Sequence, residues 1–124
     1  MGASTRGGGL VDPYVPEPGD LVWLNFDPQA GREQAGRRPA LVLSARRFNL
    51  RTSVAFVCPI TTKVKDYATE VILPPGLLVN GAVLCEHMRS LDWRARKILF
   101  ISKAPTEVLD EVRELIGSIA GVTP

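Results

Sequence analysis

A single histidine, His87, and two cysteines are all that 124 residues offer in the way of soft metal ligands. Hydrolysis on a bound metal needs clustered His, Cys, Asp or Glu side chains, and the basic part of this chain holds no close acidic pair. Cys58 and Cys85 each sit inside an apolar run, without a second cysteine or a histidine at ligand spacing. Buried, reduced thiols are therefore expected, with no metal and no cofactor. A Gly-x-Ser-x-Gly elbow that would give His87 a serine partner is missing, as is a Gly-rich loop ending in Lys-Ser/Thr that would cradle a nucleotide. No apolar run approaches the roughly 20 residues of a membrane helix. The N-terminus lacks the apolar core of a secretory signal, so the expected compartment is the cytoplasm. No internal repeat is visible.

What the chain does contain is arginine in one place. From Arg32 to Arg51 six arginines stand against one glutamate, a local charge of +5 inside a chain whose net charge is +2. The remainder is therefore acidic by three charges. A patch built on arginine alone suits phosphate, because the planar guanidinium matches two phosphate oxygens at once. A solvated surface loop would have the same composition. Hydrophobic residues make up 45% and charged residues 23% of the sequence, the balance of one soluble domain with one core.

Met1 to Pro13 is rich in glycine and nearly devoid of apolar residues. It reads as a flexible arm or a cloning remnant ahead of a domain spanning residues 14–121. Within that domain the spacing predicts strands at Asp20–Asp27, Pro39–Ser44, Ser53–Thr62, Thr69–Leu73, Ala82–Arg89 and Lys97–Ser102. Arg46–Arg51 reads as a turn or a short helical piece, and Ser90–Arg96 as a polar connector. Pro59 implies an edge position or a bulge for the third strand. Asn80-Gly81 is a turn signal. Beyond Pro105, residues Val108, Leu109, Val112, Leu115, Ile116 and Ile119 recur at helical spacing, and Gly121 is a plausible stop. Several short strands with connections too brief for crossover helices, then one closing helix, predict a mainly β, α+β fold. It would be a small antiparallel barrel or two packed sheets with the helix over one opening.

The Glu33-to-Ser44 stretch, where a polar loop gives way to a strand, concentrates the chemistry. RNA can be cut without a metal by in-line attack of the ribose 2′-hydroxyl on the adjacent phosphate. The reaction needs a base at the hydroxyl, cations on the non-bridging oxygens and a proton for the leaving 5′-oxygen. Arg38 can supply the cation as a two-pronged fork, Glu33 is a candidate proton acceptor, and the Thr61 hydroxyl can hold the phosphate. The same residues also admit a surface Arg38–Glu33 ion pair and a threonine that caps a bulge.

Four segments, in order, resemble the MazF/PemK (Kid) family of toxin endoribonucleases. They are Tyr14-Val-Pro-Glu-Pro-Gly-Asp-Leu-Val-Trp-Leu-Asn-Phe-Asp-Pro28, Glu33-Gln-Ala-Gly-Arg-Arg-Pro-Ala-Leu-Val-Leu-Ser44, Val57-Cys-Pro-Ile-Thr-Thr62 and Arg89-Ser-Leu-Asp-Trp-Arg-Ala-Arg96. The resemblance implies an SH3-like, partly open barrel with a C-terminal helix, and a homodimer. It implies metal-independent, sequence-specific cleavage of single-stranded RNA that leaves a 2′,3′-cyclic phosphate and a 5′-hydroxyl. It also implies a MazE-like antitoxin whose acidic, extended tail covers the RNA groove. The family's catalytic arginine, threonine and loop glutamate fall on Arg38, Thr61 and Glu33. Gln34, Arg37, Phe26, Asn49, Lys63, Glu86 and His87 are the candidate RNA contacts. Glu86-His87 stands where the family often has Asp-Gln, so the recognised bases can differ. His87 can stack on a base or serve the dimer interface, and Phe26 can stack or pack in the core. Two competing readings are a CcdB-like toxin that binds DNA gyrase without nuclease activity, and an RNA-binding module without chemistry.

Overall fold

The apolar strands of this chain are buried on both faces, which is why they read as near-continuous hydrophobic runs. The structure is a computed structural model and describes residues 13–26 and 36–122. Its elements are β1 (Asp20–Asn25), β2 (Arg37–Val42), α1 (Arg46–Thr52), β3 (Val54–Thr61), β4 (Glu70–Ile72), β5 (Ala82–Leu84), a 3₁₀ turn (Cys85–His87), β6 (Arg89–Asp92), β7 (Leu99–Lys103) and α2 (Thr106–Ile119). The seven strands form one open antiparallel sheet in the order β4-β5-β3-β2-β1-β7, and β6 also pairs with β3. Mainly β with a closing helix is the architecture expected above.

Alternation along β1, β2 and β3 divides the core in two. Leu21, Leu41, Cys58 and Ile60 point to one face, where α2 covers them with Val108, Leu109 and Val112. Val22, Leu24, Ala40, Val42, Ala55 and Val57 point to the other, against Leu91 and Trp93. Each valine, leucine or isoleucine among them contributes about 1.5–3 kcal/mol on withdrawal from water. Arg113 clamps the helix to the sheet, its guanidinium donating to the Leu43 carbonyl at 2.9 Å. The helix ends as expected at Gly121, whose φ of +78° is open to glycine. The Gly121 N–H bonds the Ser118 carbonyl and the Val122 N–H the Gly117 carbonyl, the paired closure of a Schellman motif. Ile119, the last residue of the anticipated apolar stripe, is exposed.

Several boundaries differ from expectation. Pro39 does not open β2, which starts two residues earlier at Arg37. At Pro39 the strand pairs with β1 through Trp23, but its pairing with β3 begins only at Ala40. A residue without an N–H is tolerated where one side of the strand has no partner. Of the edge position and the bulge expected at Pro59, the same logic excludes the edge. β3 is interior: Val54–Val57 pair with β6, Ile60 and Thr61 pair with β5, and Pro59 falls in the hand-over between the two. The single strand expected over Ala82–Arg89 is broken by the 3₁₀ turn at Cys85–His87, because Val83 stands opposite Ile60 and Arg89 opposite Val57, and the extra residues between them cannot stay in the ladder. The supposed connector after Ser90 includes most of β6. Arg46–Thr52 is a helix.

Candidate active site and nucleic-acid interface

Thr61 is the last residue of β3, and two features hold it there. Its Oγ1 accepts the Lys63 N–H at 3.0 Å, which leaves the hydroxyl proton free to be donated. Behind it the backbone of Gly81 lies so close that a Cβ at that position would meet the Thr61 carbonyl oxygen at 2.0 Å. Gly81 also has a φ of +121°. Glycine is thus required there both for space and for conformation, and the Asn-Gly turn positions the end of β3.

Arg38 stands on the neighbouring strand. The β2–β3 register pairs Ala40 with Pro59. Arg38 lies two residues beyond Ala40, and Thr61 two beyond Pro59, at the same end of the ladder. A step of two returns the side chain to the same face, so both leave the face that carries Ala40 and Val57. Arg38 is exposed and Thr61 half-buried. Arg37, one residue off, points to the opposite face and lies over Trp23 at 5.3 Å. There it borders a second cleft with Asn25, Lys97 and Leu99.

Thr61, Lys63, Glu86 and His87 line one open cleft of about 260 Å³. The 3₁₀ turn brings Glu86 and His87 to it. The Thr69 hydroxyl donates to one Glu86 oxygen, and His87 Nε2 is 4.0 Å from the other. The opposing wall is the segment after Thr61, which carries Lys65, Tyr67 and Thr69. Glu70 fastens this segment by accepting the Lys65 and Asp66 N–H groups at 3.1 and 3.0 Å, and Asp66 has a φ of +60°. Lys65, Tyr67 and Thr69 were not singled out from sequence. The signal was present in a Lys-x-Lys-x-Tyr pattern directly after the Thr-Thr pair.

Besides Arg37, two anticipated RNA contacts lie elsewhere. Asn49 is fully buried: Nδ2 donates to the Pro16 and Ser44 carbonyls at 2.9 and 3.0 Å, and Oδ1 accepts the Ser44 hydroxyl. Its polar atoms are occupied within the fold. Phe26 packs against the second core cluster beneath the Arg89 guanidinium, 5.3 Å away. Glu33 and Gln34 lie outside the described residues. Both thiols are buried and unpaired, and burial pushes Cys58 up to about 12 and Cys85 up to about 11 from the ordinary 9.0. Neither is a nucleophile at neutral pH. Among the described residues no group of three or more His, Cys, Asp or Glu side chains is placed to hold a metal ion. None of the described helices is long and apolar enough to cross a membrane.

Residues 17–120 match the family model described as PemK-like, MazF-like toxin of type II toxin-antitoxin systems. The endoribonuclease toxin MazF of Escherichia coli K12 is 39% identical over 112 residues, covering 90% of this chain and all of that one. A crystal structure of MazF from Deinococcus radiodurans shares 54% identity at a TM-score of 0.80, over 88% of this chain and 99% of the other. A MazE–MazF crystal structure from the same organism aligns at a TM-score of 0.81 and 48% identity, over 90% of this chain and all of that one. Four motifs in order, an open antiparallel sheet closed by a C-terminal helix, and these matches lead to one conclusion: the chain belongs to the PemK/MazF family of toxins of type II toxin–antitoxin systems.

Proposed function

We propose that this protein is the endoribonuclease of a toxin–antitoxin pair, and that residues 14–121 are its catalytic domain. It cuts single-stranded RNA, mRNA included, at a short sequence without a metal and without the ribosome. The observation that carries the reading is that Arg38 and Thr61 share one face at the same end of the neighbouring strands β2 and β3, each two residues past the last paired position between them, with the threonine on the rim of a lysine-bordered cleft. The 2′-oxygen attacks phosphorus in line, with Glu33 as the candidate base. Charge builds on the non-bridging oxygens, where the Arg38 fork and the Thr61 hydroxyl are worth most. The 5′-oxygen leaves with a proton, giving a 2′,3′-cyclic phosphate and a 5′-hydroxyl. Lys63 and Arg37 are backbone contacts, the latter from the opposite face of β2. The working unit is a cytoplasmic homodimer restrained by a MazE-like antitoxin, as MazE–MazF complexes of its relatives suggest.

The test is incubation of purified protein with a long transcript in EDTA, followed by end-group analysis. Discrete fragments with 5′-hydroxyl and cyclic phosphate ends are expected. Deoxyribose at the cut site should abolish cutting there, and undiminished cleavage of that substrate would rule out 2′-hydroxyl attack. Complexes without fragments would leave an RNA-binding module. An inert protein that instead retained DNA gyrase would point to the CcdB-like alternative.

A further inference from the structure

We infer that Cys58 and Cys85 are a latent disulfide, a buried dithiol that a low-molecular-weight disulfide such as oxidised glutathione closes, tying the start of the 3₁₀ turn to the middle of β3. The inference is independent of the ribonuclease reading. The reduced pair is the resting state, and both thiols are free in the structure.

The ladder sets the two cysteines opposite each other. Ile60 pairs with Val83, and one further step of two along each strand reaches Cys58 and Cys85, where the turn begins. A step of two keeps the face, and all four residues lie in the cluster beneath α2. The Cys58 thiol donates to the Cys85 carbonyl at 3.9 Å, across a sequence separation of 27 residues. The Cys85 N–H is turned away, toward the Thr69 carbonyl at 3.1 Å, so its pair with Cys58 is of the non-hydrogen-bonded kind. Such pairs bring Cα atoms to about 4.5 Å, inside the ~4.4–6.8 Å that a disulfide spans. The bond therefore closes by side-chain rotation with little movement of backbone. In the exchange, one protein thiolate attacks a sulfur of glutathione disulfide and a glutathione thiolate leaves. The second protein thiolate attacks the first cysteine's sulfur in that mixed disulfide and expels the other glutathione. Two protein thiols are oxidised, one disulfide is reduced, and the two thiol protons pass to the two glutathione thiolates. Burial slows the first step, because desolvation disfavours both thiolates and Val108, Leu109 and Val112 cover the cluster. Closure thus proceeds through local opening, and urea below the unfolding transition speeds it. The closed ring contains Thr61, Lys63, β4 and Gly81, while neither cysteine lines the cleft.

The experiment equilibrates the full chain in a series of reduced-to-oxidised glutathione ratios, with urea below the unfolding transition. Samples are quenched in acid, unfolded and alkylated, and mass spectrometry reads the intact protein and its peptides. Oxidising ratios should give a protein lighter by the two thiol hydrogens, inert to alkylation, with Cys58 and Cys85 in one cross-linked peptide pair. After removal of urea its Tm should stand about 10 °C above that of the reduced form, the scale expected when a loop of this length is closed. Dithiothreitol should abolish the gain. Cys58→Ala and Cys85→Ala should show no cross-link and no gain at any ratio. Wild-type protein that stops at glutathione adducts, joins two chains, stays reduced at every ratio, or cross-links without a rise in Tm overturns the inference. The wild-type masses and Tm decide alone if an alanine variant does not fold. None of these readouts involves RNA, so the ribonuclease reading stands or falls apart from them.

Discussion

Replacing Asn49 with alanine separates a structural role from an RNA-binding one. The side chain is fully buried and ties three pieces of backbone together. Nδ2 holds the Pro16 carbonyl of the N-terminal segment and the Ser44 carbonyl at the end of β2, while Oδ1 takes the Ser44 hydroxyl. The Asn49 carbonyl in turn accepts the Trp93 indole N–H at 3.0 Å, so α1 is also tied to the segment after β6. Alanine would orphan two carbonyls and one hydroxyl. Each buried unpaired group costs about 1–3 kcal/mol. The Ser44 hydroxyl can recover, because it also accepts the Phe56 N–H and can turn its proton elsewhere. Two orphaned carbonyls then give a loss of about 3–4 kcal/mol, a large share of the ~5–15 kcal/mol of a typical domain. At roughly 2.1 cal/mol/K per residue of unfolding entropy, that lowers Tm by about 10–15 °C for a chain of 124 residues. Thermal and urea unfolding measure the loss, and anisotropy at a temperature where both proteins are folded measures RNA affinity. The expectation is a large drop in stability with affinity retained. A variant within about 3 °C of wild type that binds RNA poorly would refute the reasoning and return Asn49 to the binding surface.

Arg38→Ala should lower cleavage by about 10²-fold or more, the scale of a lost transition-state donor, with Tm nearly unchanged because the side chain is exposed; initial rates on a defined oligonucleotide decide it. Gly81→Ala should cost at least about 2–3 kcal/mol and depress activity, since its Cβ would overlap the Thr61 carbonyl at a backbone conformation closed to alanine; a fully active, equally stable variant would show that the end of β3 does not depend on this turn. The thiols should resist alkylation in the folded protein at pH 8 and react on unfolding, as read by mass spectrometry. Their folded values lie above the ordinary 9.0, so the stabilisation is complete below about pH 9 and declines as pH rises toward 11–12; stability that rose over that window would contradict the burial.

How much of this was legible in the sequence depended on whether the signal was local. The α2 stripe from Val108 to Ile116 and the Gly121 stop are written in neighbouring residues, and each was read correctly. Pro59 carried a correct constraint, a missing N–H, that left an edge strand or a bulge open, and the edge strand is the alternative that the pairing excludes. Sequence cannot show that one strand is shared by two partners in turn, because the partners are Ala82–Leu84 and Arg89–Asp92, more than twenty residues away. Asn49 failed for a different reason. A polar residue between Phe48 and Leu50 in a basic stretch has the same letter whether it faces a nucleotide or two backbone carbonyls. Only the long-range Pro16 contact tells them apart.

The sharing of β3 also explains why the cleft is where it is. Val83 stands opposite Ile60 and Arg89 opposite Val57, so the chain between β5 and β6 carries more residues than a continuous strand could use and must leave the sheet. Here it leaves as the Cys85–His87 turn, anchored by the Cys85 N–H on the Thr69 carbonyl at 3.1 Å. That bond draws the turn toward the segment that follows β3, and the gap between them is the cleft. The hand-over at Pro59 is two residues from Thr61. The irregularity that places Glu86 and His87 therefore adjoins the strand end that places the threonine. A proline that would be a defect in an ordinary interior strand is, in this chain, the point at which β3 passes from one partner to the other, two residues before the cleft begins.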